Sequence, residues 1–200
     1  MKKKVISAIL CGAMVLGTVC PVLAADDKSE DTKTEAAAGD SAKGKKIALV
    51  SKAAGNAFFE IAAKSFQETV EAEGGEVQVV YPETATADAQ IKVLDNLISQ
   101  DFDAICISAN DVNALQAKLE EAMDEGIMVS SFDSAPNKDT REIFVNQAGT
   151  KEVAQALMDA VLDISGGEGQ FAILSATSQS ANQNAWIDAM KTIMEGDDKY

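Results

Sequence analysis

The stretch KIALVSKAAGNAFFEIAAKSFQETVEAEGGEVQVVY, residues 46–81, decides the fold class. Ile47 to Val50 is an unbroken apolar run ended by Ser51-Lys52, the pattern of a strand buried on both faces. Phe59, Ala62, Ala63, Phe66 and Val70 then recur at helical spacing until Gly74-Gly75 stops the helix. Val77-Gln78-Val79-Val80-Tyr81 opens a second strand. Strand, helix and strand in so short a span predict a parallel pair joined by a right-handed crossover.

Downstream the rhythm repeats. A second helix carries Ile91, Leu94, Leu97 and Ile98, and Ala104 to Ile107 reads as a third strand. The next helix carries Val112, Leu115, Leu119 and Met123 and closes at Gly126, with strands at Ile127 to Val129 and Ile143 to Val145. After Asn146-Gln147 comes a helix holding Val153, Leu157, Ala160, Val161 and Ile164 and a stop at Gly166-Gly167. A strand at Phe171 to Leu174 and a helix through Trp186, Met190 and Ile193 complete the pattern. The expectation is an α/β chain of two lobes, each a parallel sheet covered by helices on both faces. An N-terminal lobe spans 46–147 and a partial C-terminal lobe spans 148–200, so a chain ending at Tyr200 is expected to bind a cleft ligand weakly or not at all.

Upstream, residues 1–24 read as an export signal: Lys2 to Lys4 are basic, Val5 to Val19 is an apolar run too short to span a bilayer well, and Val22-Leu23-Ala24 has the small-x-small pattern of a cleavage site. Anchoring through a lipid on Cys20 stays open as a second route, although Gly17-Thr18-Val19 fits that signal poorly. Either route places the domain outside the cytoplasm, in a periplasm or on the outer face of the membrane. Residues 25–45 lack large apolar side chains and read as an acidic, polar tether. After Ala24 the chain keeps one cysteine, Cys106, so no internal disulfide is expected; set among isoleucines, it reads as a buried, inert thiol.

Charge and composition exclude several functions. The chain has 32 acidic and 17 basic residues, and the basic n-region lies in the signal, so nucleic acid and anionic membrane surfaces are not expected partners. There is no histidine, which removes histidine acid–base chemistry and histidine metal sites. No phosphate-cradling glycine motif follows the first strand, and Gly166-Gly167-Glu168-Gly169 sits on the wrong side of a strand for that role. No cofactor is expected. A secreted enzyme would need paired carboxylates in the cleft, where the strand ends offer only Asp133.

Ligands of open parallel sheets bind beyond the carboxyl ends of the strands. Those ends carry Ser51-Lys52, Ser108-Ala109-Asn110, Phe132-Asp133-Ser134, Asn146-Gln147 and Ser175 to Asn184. Amides, hydroxyls, one lysine and one aspartate suit a neutral polyhydroxylated ligand. Bland roles compete: Asp133 also fits a turn cap, Lys52 a solvated strand end, Asn182 a helix N-cap, and Trp186 plain packing.

With these residues identified, the chain resembles the type I periplasmic sugar-binding proteins of ABC importers, whose cytosolic relatives include the LacI-type repressor ligand domains. Gly55-Asn56-Ala57-Phe58-Phe59 is similar to the family's Asn-Pro-Phe-Phe segment, with Ala57 in place of proline, and Phe132-Asp133-Ser134 resembles its ligand-binding aspartate loop. Ser175-Ala176-Thr177 and Asn182-Gln183-Asn184-Ala185-Trp186 most resemble the rhamnose-binding and autoinducer-2-binding (LsrB-like) branch. The resemblance implies a monomeric solute-binding protein that presents a small neutral sugar to an ABC permease. Lys52, Asn56, Phe58, Asn110, Asp133, Asn182 and Gln183 are its expected ligand contacts. Autoinducer-2 receptors of this branch carry aspartate where Asn182 stands, which tilts the expectation toward a sugar and leaves the furanosyl signal as the alternative. A sensor docking on a membrane receptor would look the same. A ligand-responsive regulator is disfavoured by the export signal and by the absence of an N-terminal helix-turn-helix.

Overall fold

In a computed structural model, residues 40–200 are described, and the signal and most of the tether lie outside them. Five parallel strands form one sheet in the order β2-β1-β3-β4-β5. They are β1 (Lys46–Val50), β2 (Glu76–Val80), β3 (Ala104–Ile107), β4 (Met128–Phe132) and β5 (Ile143–Val145). Between them run α1 (Ala57–Ala72), α2 (Ala87–Ile98) and α3 (Gln116–Asp124), followed by α4 (Thr150–Ser165) and α5 (Ala181–Gly196).

The element boundaries have local causes. The Asn56 side chain accepts the Phe58 N–H at 3.0 Å to start α1, and Thr86 accepts from Ala89 at 3.3 Å to start α2. At the end of α1 the Gly75 N–H donates to the Val70 carbonyl at 3.0 Å, and a Cβ on Gly75 would lie 2.7 Å from Val70 Cγ1, so only glycine fits this turn. Residues 40–45 depart from the expected tether. Ala42 and Gly44 donate to the carbonyls of Glu73 and Gly74, and Ser41 Oγ donates to Glu73 Oε2 at 2.6 Å, which docks the segment on the α1–β2 turn.

The core is lopsided. On one face Ala48, Val50, Ile105, Ile107 and Val129 pack against Leu94 and Leu97 of α2 and Leu119 and Ala122 of α3. On the other, α1 covers Leu49 and Cys106 through Ala63 and Phe66. Past α1 this face opens into a groove of ≈ 520 Å³ bordered by Phe66, Met128, Phe132, Ile143 and Val145. The expected cover on both faces therefore holds for the central strands and fails toward β5, whose Ile143 and Val145 are exposed.

Three further expectations are corrected. The helix read from Val112 begins at Gln116, because Asp111 Oδ1 accepts the N–H groups of Asn113 and Ala114 in a turn that leaves Val112 exposed. The fourth strand runs on to Phe132 from Met128, since its ladder with β3 and β5 continues there. Phe171 to Leu174 forms no strand: among the described residues it has no ladder partner, and Leu174 is 99% exposed. α4 and α5 pack on each other through Ala154, Met158 and Met190.

Cys106 is buried as its surroundings predict, and burial pushes its thiol pKa up while a hydrogen bond with Ser130 pulls the other way. In protein beginning at Ala25, Ellman's reagent is expected to leave this thiol untouched at neutral pH and to react fully once denaturant unfolds the chain. Rapid reaction of the native protein would show that the groove admits solvent to the sulfur.

Candidate functional site

The carboxyl ends of β1, β3 and β4 meet the start of α5 around a cavity of ≈ 300 Å³. Lys52 follows β1 and is 9% exposed. Asp133 follows β4 with φ 57, a left-handed conformation that aspartate tolerates better than most residues. Its carboxylate is fully engaged. Oδ2 accepts from Ser108 Oγ at 2.7 Å and lies 3.5 Å from Lys52 Nζ. Oδ1 accepts from Asn182 Nδ2 at 3.1 Å and from Gln147 Nε2 at 3.3 Å. These contacts tie the end of β4 to the ends of β1, β3 and β5 and to α5, whereas a turn cap would accept from nearby backbone N–H groups.

Asn182 closes the constellation from the other side. Its Oδ1 accepts from Lys52 Nζ at 3.0 Å, so one carboxamide bridges both charged groups. The N-cap of α5 is Ser180, so Asn182 does not cap the helix; it sits inside the first turn. Gln183 Oε1 accepts from Ser175 Oγ and the Ala176 N–H, both at 2.7 Å, and ties the loop after residue 174 to α5.

The Lys52 ammonium is held below the usual lysine range because burial disfavours its charge, and the neighbouring Asp133 carboxylate offsets part of that effect. Lysine and aspartate together are nearly neutral, so the cavity presents donors and acceptors without a strong net field. Hydroxyl groups, which donate and accept at one atom, match such a surface. Among the described residues no cluster of three metal-ligating side chains occurs.

All seven residues expected from sequence line this cavity: Lys52, Asn56, Phe58, Asn110, Asp133, Asn182 and Gln183. Asn56 does so while its Oδ1 caps α1. The two phenylalanines divide as their spacing implies. Phe59 is buried against Phe132, with ring centroids 6.3 Å apart, and Phe58 is about half exposed, edge-on to Phe59 at the cavity wall. Sequence reasoning assigned Trp186 to packing, yet it lines the cavity too. It also passed over Gln147 and Ser108 as partners of Asp133; both stand at strand ends, and that position was the available signal.

A family model described as a periplasmic binding protein domain matches residues 47–200. The chain belongs to the periplasmic binding proteins. An ABC transporter solute-binding protein from Clostridium phytofermentas, solved with bound L-rhamnose, is 51% identical with a TM-score of 0.76 over 78% of this chain and 48% of its own. A sugar ABC transporter protein from Actinomyces odontolyticus is 34% identical, with a TM-score of 0.63 over 81% of this chain and 52% of its own. LsrB from Clostridium saccharobutylicum, in complex with AI-2, is 25% identical with a TM-score of 0.67 over 75% of this chain and 48% of its own. The periplasmic binding protein described here thus spans about half the length of these solved relatives. Its family works outside the cytoplasm, and its α/β fold with a five-stranded parallel sheet matches about half of each of these relatives.

Proposed function

We propose that this chain belongs to a non-enzymatic, extracytoplasmic receptor that captures a small neutral sugar of the rhamnose type and delivers it to an ABC importer. The observation that carries the reading is the Lys52–Asp133–Asn182 constellation at the wall of the cavity. A sugar entering this site displaces the carboxamide bridge. Its hydroxyls take the place of Asn182 on the Asp133 carboxylate and accept from Lys52, each charge-assisted bond contributing roughly 1.5 to 3 kcal/mol. Phe58 and Trp186 supply apolar surface for the face of the ring or for a methyl group. A 51%-identical relative solved with L-rhamnose supports that choice of sugar. The receptor acts as a monomer, exported by the segment before Ala25 and released or held through Cys20.

Autoinducer-2 is the second reading, favoured by the LsrB relative and weakened by asparagine at position 182. Calorimetric titration of the full-length protein with L-rhamnose, D-ribose, D-arabinose and autoinducer-2 separates them. One neutral sugar binding at a 1:1 ratio is the expected result. Binding of autoinducer-2 alone moves the protein to signal uptake or sensing, and heat from none of the four overturns the sugar reading.

A further inference from the structure

Gln90 is a polar side chain on the apolar stripe of α2, in register with Ala87, Leu94 and Leu97, and it is fully buried. Its carboxamide is spent on backbone. Nε2 donates to the Ser108 carbonyl at 2.8 Å and the Ser51 carbonyl at 3.3 Å, and Oε1 accepts the Asn110 N–H at 2.8 Å. All three groups lie just past the point where the β1–β3 ladder ends, at Val50 and Ile107. Past that point the two strands no longer pair, and their polar backbone groups need partners in a water-poor interior. Ser51 precedes Lys52; Ser108 holds Asp133 through its hydroxyl; Asn110 returns a bond from Nδ2 to the Lys52 carbonyl at 3.1 Å.

We infer that Gln90 is a positioning residue for the cleft: from beneath the sheet edge it fixes the backbone that aims Lys52, Ser108 and Asn110 into the site. This rests on the sugar reading given above. No other common neutral side chain of this length carries both the donors and the acceptor that the arrangement uses. Methionine fills similar volume and satisfies none of the three groups. Glutamate keeps the acceptor for Asn110 while, when ionised, it confronts two carbonyl oxygens with no proton to share; when protonated, it can donate to one of them.

The test is L-rhamnose affinity of the full-length wild type, Gln90→Met and Gln90→Glu between pH 5 and 8, with melting curves at each pH. Lys52 and Asp133 are the charged groups at the adjoining strand ends and are present in every protein compared, so the readout is the ratio of variant to wild-type affinity. Gln90→Met is expected to bind at least tenfold more weakly at temperatures where it is fully folded. Gln90→Glu is expected to be similarly weak at pH 8 and to recover part of the loss as the pH falls to 5. A purely structural role predicts lower melting temperatures with wild-type affinity in the folded protein, and that result overturns the inference. So does a Gln90→Glu ratio flat with pH. If Gln90→Met does not fold, Gln90→Glu carries the test alone. Failure of the wild type to bind L-rhamnose or the other titrants strikes the sugar reading instead. Faster hydrogen exchange of the Asn110 amide in folded Gln90→Met, which removes its acceptor, than in wild type then remains as the readout that keeps or sinks the positioning role.

Discussion

Asp133→Ala is expected to weaken L-rhamnose binding by the full-length protein more than a hundredfold. Two charge-assisted hydrogen bonds at roughly 1.5 to 3 kcal/mol each sum to several kcal/mol, and about 1.4 kcal/mol is a factor of ten in affinity. The loss extends beyond the carboxylate itself. Lys52, already held below the usual lysine range by burial, loses the counter-charge that offsets this effect, and Ser108 and Gln147 lose their acceptor. Asp133→Asn is the informative companion, because asparagine tolerates the left-handed backbone at this position and keeps one acceptor oxygen. It is expected to lose roughly tenfold, since it removes charge assistance and leaves the shape. Calorimetry reads both. Wild-type affinity in Asp133→Ala would remove Asp133 from the site and with it the proposed constellation.

Leu94→Ala is expected to lower the unfolding free energy by about 3 kcal/mol, within the usual range of roughly 2 to 5 for a buried leucine. Leu94 is inaccessible to solvent and lies in the main core cluster with Ile105 and Leu119. Its removal leaves a cavity under the sheet that α2, fixed at Gln90 and Leu97, cannot collapse to fill. Against a total stability of about 5 to 15 kcal/mol this is a large fraction. Urea unfolding measures it, with Ile61→Ala as the control: Ile61 is 70% exposed on α1, and its truncation is expected to stay within about 0.5 kcal/mol. Equal losses in the two variants would mean that the packing described for α2 is wrong.

The Leu94 expectation and the Gln90 inference meet on α2. Leu94 and Gln90 stand four residues apart on one helical face, so the side chain that fills the core and the side chain that fixes the cleft are set by a single docking event. A destabilised α2 and a loosened cleft should therefore appear together in variants of this helix. Separating them requires affinity measured on folded protein.

Much of the site could be read without coordinates. Lys52, Asn110 and Asp133 stand where apolar runs end, and a parallel sheet gathers such ends along one edge, so their convergence follows from the strand pattern and the handedness of the crossovers. Phe59 and Phe58 separated by helical spacing alone. Gln90 did not, although one polar position within an otherwise apolar stripe was visible, because its partners are backbone groups far along the chain. The expected strand at Phe171 to Leu174 failed for the opposite reason. Its composition favours an extended chain, but a strand exists only where a neighbour supplies the ladder, and among the described residues none does.

Side-chain period and turn chemistry within a few residues suffice for most of the alternation of strands and helices, for the glycine stops and for the strand-end residues that face a cleft. It took the folded chain to bring Asn182 across to both Lys52 and Asp133, to set Gln90 between the ends of β1 and β3, and to leave the sheet well covered on one face and open toward β5 on the other. Those are meetings of groups distant in sequence, and their free energy exists only once the chain has closed the loops between them.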